Sequence, residues 1–415
     1  MNILLINLPM EGKTDDFTTP DYLLTDFMCY PPLGLLSIAT LIDKRHKLKV
    51  LDVIAKKMNI EKTINYILNY KPDLLGITVV TRYLYAFYEI IKRVKEALPT
   101  TIIVAGGPHV NYFPLQTMQL NYVDYALVGF GEKKFPLLVE ALEKKDGSIF
   151  SIPNLYYKNK DKILHTNIIE EPINLDDLPF PDRTLIDLDD YFTAADKVRM
   201  TTMYSSRGCP FRCIFCDVQE KTFRYKSAKR VVDEFEYILD LGIKEIFIFD
   251  DTFNLIRDRV IDICNQIIKR RLKVRWSARA RVYPFDREMA YLLKKSGCCR
   301  LHVGVESLDE DILKYIRKGI TLEHIKNFFK ICNEFRLDTV PYLIIGFPNE
   351  KKEYRDSLYE KILKLKSTYI YINILCPLPK TDYYNYLLKE GIYKEDFWED
   401  FIRNPKKDFK IPLPR

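Results

Sequence analysis

The segment MTTMYSSRGCPFRCIFCDVQ, residues 200–219, decides the interpretation of this chain. Its first part, near 201–205, predicts a β-strand. Three cysteines follow directly, namely Cys209, Cys213 and Cys216, and a helical pattern begins at 228. In folds built from strand–helix units, loops at the carboxyl ends of the strands carry the chemistry. The segment therefore predicts a functional cysteine loop in such a fold.

The same alternation continues to the end of the chain. Predicted strands lie near 201–205, 245–250, 274–279, 300–305, 338–345 and 369–375. The helical patterns between them lie at 228–241, 258–271 and 286–296, with a double helix over 308–335. Six strand–helix units are fewer than the eight of a closed barrel, so we expect a partial (β/α)6 TIM-type barrel with one open side.

The amino-terminal part also alternates strand and helix patterns. Apolar runs that predict strands are ILLIN (3–7), KVLDV (49–53), LLGITVV (74–80), TIIVAGG (101–107) and VDYALVG (123–129). Candidate helices lie at 33–43, 60–70, 83–97 and 132–144. This regular pattern predicts an α/β domain with a doubly wound, Rossmann-like parallel sheet, whose ligand would bind at the carboxyl ends of the strands.

These patterns divide the chain into four parts. A length of 415 residues exceeds what one hydrophobic core usually supports, which favours several domains. The segment LDDLPFPDRTLIDLDDYF is rich in Pro and Asp and is typical of a linker. We therefore expect an amino-terminal domain at 1–147, a linker at 148–195, the barrel at 196–379, and a tail at 380–415 that packs on the barrel.

The composition narrows the class of protein further. With 47% apolar and 29% charged residues the chain is globular, and its net charge of +7 is spread without long single-sign blocks, so nucleic-acid binding is not indicated. No run of eighteen apolar residues and no signal-like leader is present, which predicts a cytoplasmic protein without a membrane span. Nine cysteines are too few for a disulfide scaffold of this size, and three of them crowd together.

The spacing of the three cysteines indicates an iron–sulfur cluster with one open iron. A four-iron cluster held by protein alone needs four thiolates, and the loop offers three. The fourth iron is then open to an outside chelator, and the amino and carboxylate groups of a methionine moiety fit that need. Two alternatives remain at this point: a structural zinc site, for which a second cysteine pair is missing, and a ferredoxin-type carrier, whose next candidate ligand, Cys264, lies in a predicted helix.

The CxxxCxxC pattern, with Phe215 before the last cysteine, resembles that of the radical S-adenosylmethionine (radical SAM) superfamily. The later strand ends KEIFIFDDTFN, WSARARVYPF, RLHVGVES, LIIGFPNE and CPLPKTDYY are similar to that superfamily's cobalamin-binding branch. The resemblance implies a 4Fe–4S cluster on the three cysteines. It also implies contacts to S-adenosylmethionine from Phe215, Asp250, Asp251, Arg281, Glu306 and Ser307. The chain departs from the pattern at Tyr283, where relatives carry an acidic residue, and at Lys380-Thr381, where they carry Gly-Thr.

The first half adds a second resemblance. YPPLGLLSIATLI, PDLLGITVVT, IIVAGGPH, DYALVGFGE and LPFPDR are similar, in this order, to the cobalamin-binding domain and linker of cobalamin-dependent radical SAM enzymes. The resemblance nominates cobalamin contacts at Pro9, Thr78, Gly106, Gly107, Gly129 and Glu132. Pro9 stands where many cobalamin proteins place a cobalt-binding histidine, and proline has no side-chain donor atom. We therefore expect no protein nitrogen below the cobalt.

Together the two resemblances imply an enzyme with three cofactors: the cluster, S-adenosylmethionine and cobalamin. The implied reaction is C-methylation of an unactivated carbon, in which a 5′-deoxyadenosyl radical abstracts hydrogen and methylcobalamin supplies the methyl group. A rearrangement or oxidation without methyl transfer is one alternative, and a non-enzymatic iron–sulfur or cobalamin carrier is another. The implied partners are a small-molecule or peptide substrate and an external electron donor of the flavodoxin or ferredoxin type.

Overall fold

A computed structural model describes residues 1–14, 29–193, 197–348 and 350–414. The chain forms two compact units. The first comprises Met1–Ile173, Pro179–Ala194 and Tyr393–Arg415, and the second comprises Asn174–Leu178 and Ala195–Ile392. Each unit is built around one parallel sheet.

The first unit contains a seven-stranded sheet with the order β2-β1-β3-β4-β5-β6-β7. Its strands are β1 (Asn2–Ile6), β2 (Lys47–Leu51), β3 (Leu74–Thr78), β4 (Ile102–Gly106), β5 (Tyr125–Leu127), β6 (Leu155–Asn159) and β7 (Lys162–His165). The first five are parallel, and the order 2-1-3-4-5 is that of doubly wound flavodoxin-like sheets. β1 is apolar from Ile3 to Ile6 because it lies in the sheet interior, where both faces are covered.

Six helices belong to this sheet, and four of them were expected. They are α1 (Leu33–Thr40), α2 (Ile60–Tyr70), α3 (Leu84–Ala97), α4 (Pro108–Tyr112), α5 (Pro114–Gln119) and α6 (Lys134–Lys144). The short helices α4 and α5 each begin with a proline and are too short to show a helical period in the sequence. The predicted linker at 148–195 is also partly regular, because β6 and β7 extend the sheet in antiparallel fashion.

The second unit contains six parallel strands in the order β15-β14-β13-β12-β11-β8. These strands are β8 (Met200–Met203), β11 (Glu245–Ile248), β12 (Arg275–Ala280), β13 (Cys298–Glu306), β14 (Asp338–Ile345) and β15 (Tyr371–Ile374). β9 (Ser206–Arg207) and β10 (Arg224–Tyr225) form a small antiparallel ladder. Sequential order with β8 and β15 at the two edges is the topology of an open (β/α)6 barrel, as predicted.

In the part of the second unit that the structure describes, seven helices accompany the strands, and the first five lie where the sequence predicts helical patterns. They are α7 (Ala228–Asp240), α8 (Arg257–Lys269), α9 (Arg287–Lys295), α10 (Glu310–Tyr315), α11 (Leu322–Glu334), α12 (Lys352–Leu363) and α13 (Asp382–Lys389). Several begin at a side-chain cap, such as Ser227, Asp286 and Thr321. Within the described residues of both units, no helix has the length and apolar character needed to cross a membrane.

The carboxyl-terminal tail differs from the expectation that all of 380–415 packs on the barrel. α13 belongs to the second unit, but Tyr393–Arg415, with helix α14 (Phe397–Arg403), belongs to the first. Within the tail, Phe401 stacks on Phe409 with ring centroids 4.2 Å apart, and Trp398 lies 5.7 Å from the same ring. Polar side chains connect the tail to the first unit, since Lys407 Nζ lies 3.5 Å from Glu11 Oε1. Gln116 of α5 also donates to Glu399 at 3.3 Å.

Candidate functional site

The cysteine loop after β8 is held by backbone hydrogen bonds to three other segments. Cys209 N donates to Glu220 O at 2.9 Å, and Cys216 N donates to Cys213 O at 3.1 Å. Ile214 N donates to Ile316 O at 3.2 Å, while Ile214 O accepts from Tyr383 N at 2.9 Å. Because so many of its peptide groups are bonded, the loop has a defined conformation in the protein.

Gly208 enables this close packing. Its φ is +85°, and an added Cβ would lie 2.3 Å from Thr222 O, so only glycine fits between β8 and the first cysteine. The three thiols are partly buried. Burial raises the pKa of Cys209 and raises that of Cys216 to about 11, so iron binding has to displace thiol protons.

The donor set of this loop fits a cluster rather than a single ion. In the described parts of the chain, no three His, Cys, Asp or Glu side chains are grouped closely enough to hold one metal ion. Each thiolate of a four-iron cluster binds a different iron, so its ligands lie farther apart than those of a mononuclear site. Three partly buried thiols on one ordered loop meet that requirement.

Asp250, at the end of β11, orders the start of the cysteine loop. It is fully buried, and its carboxylate accepts hydrogen bonds from the backbone N–H groups of Ser205 and Ser206 at 2.7 and 3.0 Å and from their hydroxyls at 2.5 and 2.6 Å. Asp251 accepts from Gly208 N at 3.0 Å. Both aspartates predicted from the sequence therefore contact the segment that carries the first cysteine.

Arg281 is buried beside the same loop. Its guanidinium lies 3.7 Å from the centroid of the Phe211 ring and donates to Lys318 O at 2.5 Å. Asn254 fixes its backbone, because the Asn254 side chain accepts from Arg281 N at 2.8 Å and donates to Arg281 O at 2.9 Å. Burial lowers the pKa of Arg281, while the nearby thiols Cys213 and Cys209 raise it.

Glu306 and Ser307 end β13 and have partners within the barrel. Glu306 forms an ion pair with Lys318 at 2.7 Å, and both side chains are about nine-tenths buried. Ser307 is fully buried; its hydroxyl donates to Tyr354 at 3.1 Å and accepts from Asp309 N at 3.2 Å. Phe215, the remaining predicted contact, is partly buried between Ile214 and Cys216.

In the first unit, Gly107 is required by the packing of two loops. Its φ is +96°, and an added Cβ would lie 2.7 Å from Thr78 Oγ1 and 3.0 Å from two backbone atoms of Val79. Gly106 differs, because among the described residues an added Cβ would meet only Leu127 O, at 3.9 Å. Gly106 therefore leaves open space beside β4 that a bulky ligand can approach.

The other predicted cobalamin contacts lie in the loops after β1 and β5. Pro9 and Glu132 are buried. Gly129 has a φ of +87°, and its N–H donates to Asn111 Oδ1 at 2.7 Å. These residues follow the carboxyl ends of parallel strands, where doubly wound sheets bind their ligands. Together with the open space at Gly106, this edge fits a large, flat cofactor that approaches backbone.

Four residues that support the barrel site were not predicted: Ser205, Ser206, Asn254 and Lys318. Ser205 and Ser206 stand in the quoted segment, directly before the cysteines, but serine hydroxyls are common in loops. Asn254 follows two aspartates at a strand end, which is a usable signal for a polar cluster. Lys318 lies 102 residues after Cys216, and only the fold brings it beside Glu306.

Comparison with protein families matches both halves of the chain. Residues 203–362 match the radical SAM superfamily, and residues 21–139 match the B12 binding domain. The first match covers the cysteine loop and β11 to β14. The second covers β2 to β5, and with them the predicted contacts at Thr78, Gly106, Gly107, Gly129 and Glu132.

Individual relatives agree with the two family matches. The chain is 33% identical over 378 residues to the uncharacterized methyltransferase PH0819 of Pyrococcus horikoshii, covering 89% of this chain and 81% of that relative. It is 26% identical to the anaerobic magnesium-protoporphyrin IX monomethyl ester cyclase of Cereibacter sphaeroides, covering 74% of this chain and about half of the cyclase, 52%. Among solved structures, TsrM, a radical S-adenosylmethionine methyltransferase from Kitasatospora setae, matches with a TM-score of 0.74 at 19% identity, over 94% of this chain and 75% of TsrM.

The fold, the cysteine loop and the relatives together define a class of protein. It is an α/β enzyme with a doubly wound domain and an open barrel, and the barrel carries a cysteine loop for an iron–sulfur cluster. The chain belongs to the radical SAM superfamily, in the branch that carries a B12-binding domain. The predicted fold class, enzyme class and cofactor set of cluster, S-adenosylmethionine and cobalamin are thereby confirmed.

Proposed function

We propose that this chain is a C-methyltransferase in which Cys209, Cys213 and Cys216 hold the 4Fe–4S cluster. The observation that carries the proposal is the ordered three-cysteine loop after β8, which lies inside the radical SAM match. Two of the relatives above, one of them 33% identical, are named methyltransferases. When bound, the cluster would supply the electron that cleaves S-adenosylmethionine, and cobalamin would carry the methyl group.

The residues around the loop divide into two roles in this proposal. Phe215, Asp251 and Arg281 would contact S-adenosylmethionine, since they lie on or directly beside the cysteine loop. Asp250 and Ser307 would act by holding those elements in place, because both are fully buried and bonded to protein groups. Glu306 would do the same through its buried ion pair with Lys318, whereas Asp251 is exposed. This division reduces the six S-adenosylmethionine contacts that the resemblance implies to three.

The first unit would hold cobalamin along the carboxyl edge of its sheet. Gly106 would admit the cofactor, Gly107 and Gly129 would shape the adjoining loops, and Pro9, Thr78 and Glu132 would complete the contact surface. Pro9 offers no nitrogen to the cobalt. A low-affinity lower face of this kind suits a cobalt that must change its ligation during each turnover.

The substrate of the proposed reaction would be a small molecule or a peptide. The reducing electron would come from an external donor of the flavodoxin or ferredoxin type in the cytoplasm. The protein must hold the reacting carbon of the substrate within contact distance of the nucleoside and of the methyl donor, because a carbon radical reacts with whatever lies next to it. The protein's part is therefore to orient these groups and to exclude water and oxygen.

A second candidate function is an oxidation or rearrangement without methyl transfer. It is supported by the similarity to the magnesium-protoporphyrin monomethyl ester cyclase, whose name describes ring closure. That relative is 26% identical and about half of it is covered, whereas the methyltransferase relative is 33% identical over 81% of its length. The methyltransferase proposal is therefore the first choice.

An isotope experiment separates these functions. Anaerobically reconstituted protein with cobalamin and reductant is incubated with S-adenosylmethionine carrying a trideuterated methyl group and with small-molecule extracts. We expect 5′-deoxyadenosine together with a product that is heavier by one deuterated methyl group, and neither with Cys213→Ala. 5′-Deoxyadenosine with an unlabelled product supports the second candidate. If the unmodified protein forms neither 5′-deoxyadenosine nor a labelled product with any extract, both candidate functions are contradicted.

A further inference from the structure

The turn Ile316–Gly319, which follows α10, accepts three hydrogen bonds from the proposed cluster site. The carbonyl of Ile316 accepts from Ile214 N at 3.2 Å, and that of Arg317 accepts from the Cys213 thiol at 3.8 Å. The carbonyl of Lys318 accepts from the Arg281 guanidinium at 2.5 Å. The Cys213 bond exists only in the cluster-free protein, because a thiolate that binds iron has no proton to donate. The carbonyls of Ile316 and Lys318 keep their bonds in either state, and they align the backbone next to Cys213 and the neighbouring cation.

The side chain of Lys318 holds this turn against the barrel. Lys318 Nζ donates to Glu306 Oε1 at 2.7 Å, with 9% and 10% of the two side chains exposed. Attraction between opposite charges is much stronger in such a site than in water, and a buried charge that loses its partner is strongly disfavoured. The pair therefore fixes the distance between the turn and the end of β13.

The backbone around Glu306 is adapted to this pair. Glu306 has a φ of +64°, a conformation that non-glycine residues rarely adopt, and the register of β13 against β14 shifts between Gly304 and Glu306. An added Cβ at Gly304 would lie 2.3 Å from Glu306 Oε1 and 2.8 Å from Lys318 Nζ. Strained backbone of this kind persists where surrounding contacts determine it, often at functional sites.

A neighbouring pair in the same turn lacks these features. Arg317 and Asp382 approach within 2.9 Å, but their side chains are 62% and 60% exposed. Exposed pairs of this type contribute little, because water screens them and the side chains lose freedom. The contrast singles out Lys318 as the side chain that fixes the turn.

We propose that Lys318 is a positioning residue for the cluster site, which acts through its ion pair with Glu306 by holding the turn that orients Cys213 and Arg281. The inference rests on the proposed function, because it assumes that the cysteine loop carries the cluster. It also assigns Glu306 a partner in the protein, so that its carboxylate acts by anchoring Lys318.

The test compares Lys318→Met with Lys314→Met, an exposed lysine of α10 that serves as a matched control. After anaerobic reconstitution, we expect Lys318→Met to lose iron to a chelator at least tenfold faster than unmodified protein. Its electron paramagnetic resonance spectrum with S-adenosylmethionine should be broadened or shifted. In cluster-free protein, iodoacetamide should alkylate Cys213 faster than in the control. Lys318→Arg should restore all three values to within about threefold.

The outcomes separate this inference from the proposed function. If the unmodified protein takes up no four-iron cluster, the proposed function fails, and the alkylation rate of Cys213 still tests the positioning role. If the unmodified protein holds its cluster and Lys318→Met matches Lys314→Met in iron loss, spectrum and alkylation, the positioning role is refuted. Thermal unfolding of each variant verifies folding, and Glu306→Gln, which removes the charge of the partner, provides a second variant with the same expected changes.

Discussion

The end of β4 in the first unit carries Gly106 and Gly107, whereas the loops after β8, β11, β12 and β13 in the second unit carry thiols, carboxylates and a guanidinium. In the first unit, the distinguishing feature is the absence of a side chain at Gly106 and Gly107. In the second, Asp250, Arg281 and Glu306 are all buried and bonded. Cobalamin brings its own ring of metal ligands, so the protein has to provide a space that fits it. An iron–sulfur cluster takes its thiolate ligands from the protein and needs charged groups around them.

The largest effect is expected from removing a cluster ligand. Cys213→Ala should abolish the cluster, because three thiolates are already one fewer than a four-iron cluster held by protein alone requires. Iron and sulfide analysis after reconstitution should give values near zero. Cys299→Ala, a partly buried cysteine of β13, is the control and should retain the cluster. Full iron content in Cys213→Ala would overturn the assignment of the loop.

The next prediction tests the assignment of the tail to the first unit. Phe401 is 1% exposed and stacks on Phe409, so Phe401→Ala should destabilise the first unit by about 3–5 kcal/mol. The chain has two tryptophans, Trp276 in the second unit and Trp398 in the first. Urea unfolding followed by fluorescence in Trp276→Phe and Trp398→Phe backgrounds therefore reports each unit separately.

In the tail experiment, the loss should appear in the transition that Trp398 reports. Phe150→Ala, an exposed aromatic residue of the first unit, should change its stability by no more than about 0.5 kcal/mol. A loss seen through Trp276 alone would instead support a tail that stabilises the barrel.

Two glycine substitutions distinguish a glycine that the fold requires from a glycine that cobalamin binding requires. Gly107→Ala should destabilise the first unit by roughly 2–3 kcal/mol, because its φ of +96° is unfavourable with a Cβ that meets Thr78 and Val79. Gly106→Ala should leave stability unchanged but weaken cobalamin binding, since its Cβ would enter open space. Binding is measured by equilibrium dialysis of hydroxocobalamin. Equal cobalamin affinity in Gly106→Ala and unmodified protein would exclude Gly106 from the contact surface.

The sequence predicted the strands and most helices because buried parallel strands are continuous apolar runs that alternate with amphipathic helices. It also located Cys209, Cys213 and Cys216, whose spacing is local. It did not predict β6 and β7, because they lie in a segment whose Pro and Asp content resembles a linker. The assignment of the tail depended on Gln116 of α5 meeting Glu399, 283 residues later in the chain, which no periodicity encodes.

The sequence also predicted only part of the site, because local motifs can be recognised in a sequence while contacts between distant residues depend on the fold. Asp250 and Glu306 were located through their strand ends, but their partners Ser205, Ser206 and Lys318 follow from the fold alone. A carboxylate in a motif can bind a ligand or hold another loop, and only its hydrogen bonds decide between the two. The sequence therefore located positions better than it assigned roles.

The smallest effect concerns two histidines, the fully buried His109 of the first unit and the partly buried His302 of the second, whose pKa values are lowered for different reasons. Burial alone lowers the pKa of His109 to about 3, whereas for His302 burial is joined by the charges of Arg300 and Arg279 in lowering it to about 3. The unfolded chain protonates these rings below about pH 6.5, while the folded chain does not until about pH 3. Stability is thus fully present above pH 6.5 and falls as the pH decreases, by about 2 kcal/mol per histidine between pH 7 and pH 5.

Salt distinguishes the two histidines. Raising the ionic strength to about 1 M shortens the screening length to about 3 Å and weakens the effect of Arg279 and Arg300 on His302. It leaves the burial of His109 unchanged. We therefore expect His109→Asn to remove the same part of the acid destabilisation at low and high salt, and His302→Asn to remove less at high salt. Urea unfolding at pH 7 and at about pH 3.5, where a change in the pKa of His302 alters the protonation of the folded chain, measures both variants, with each tryptophan reporting its own unit. Equal salt responses of the two variants would show that burial alone sets both pKa values.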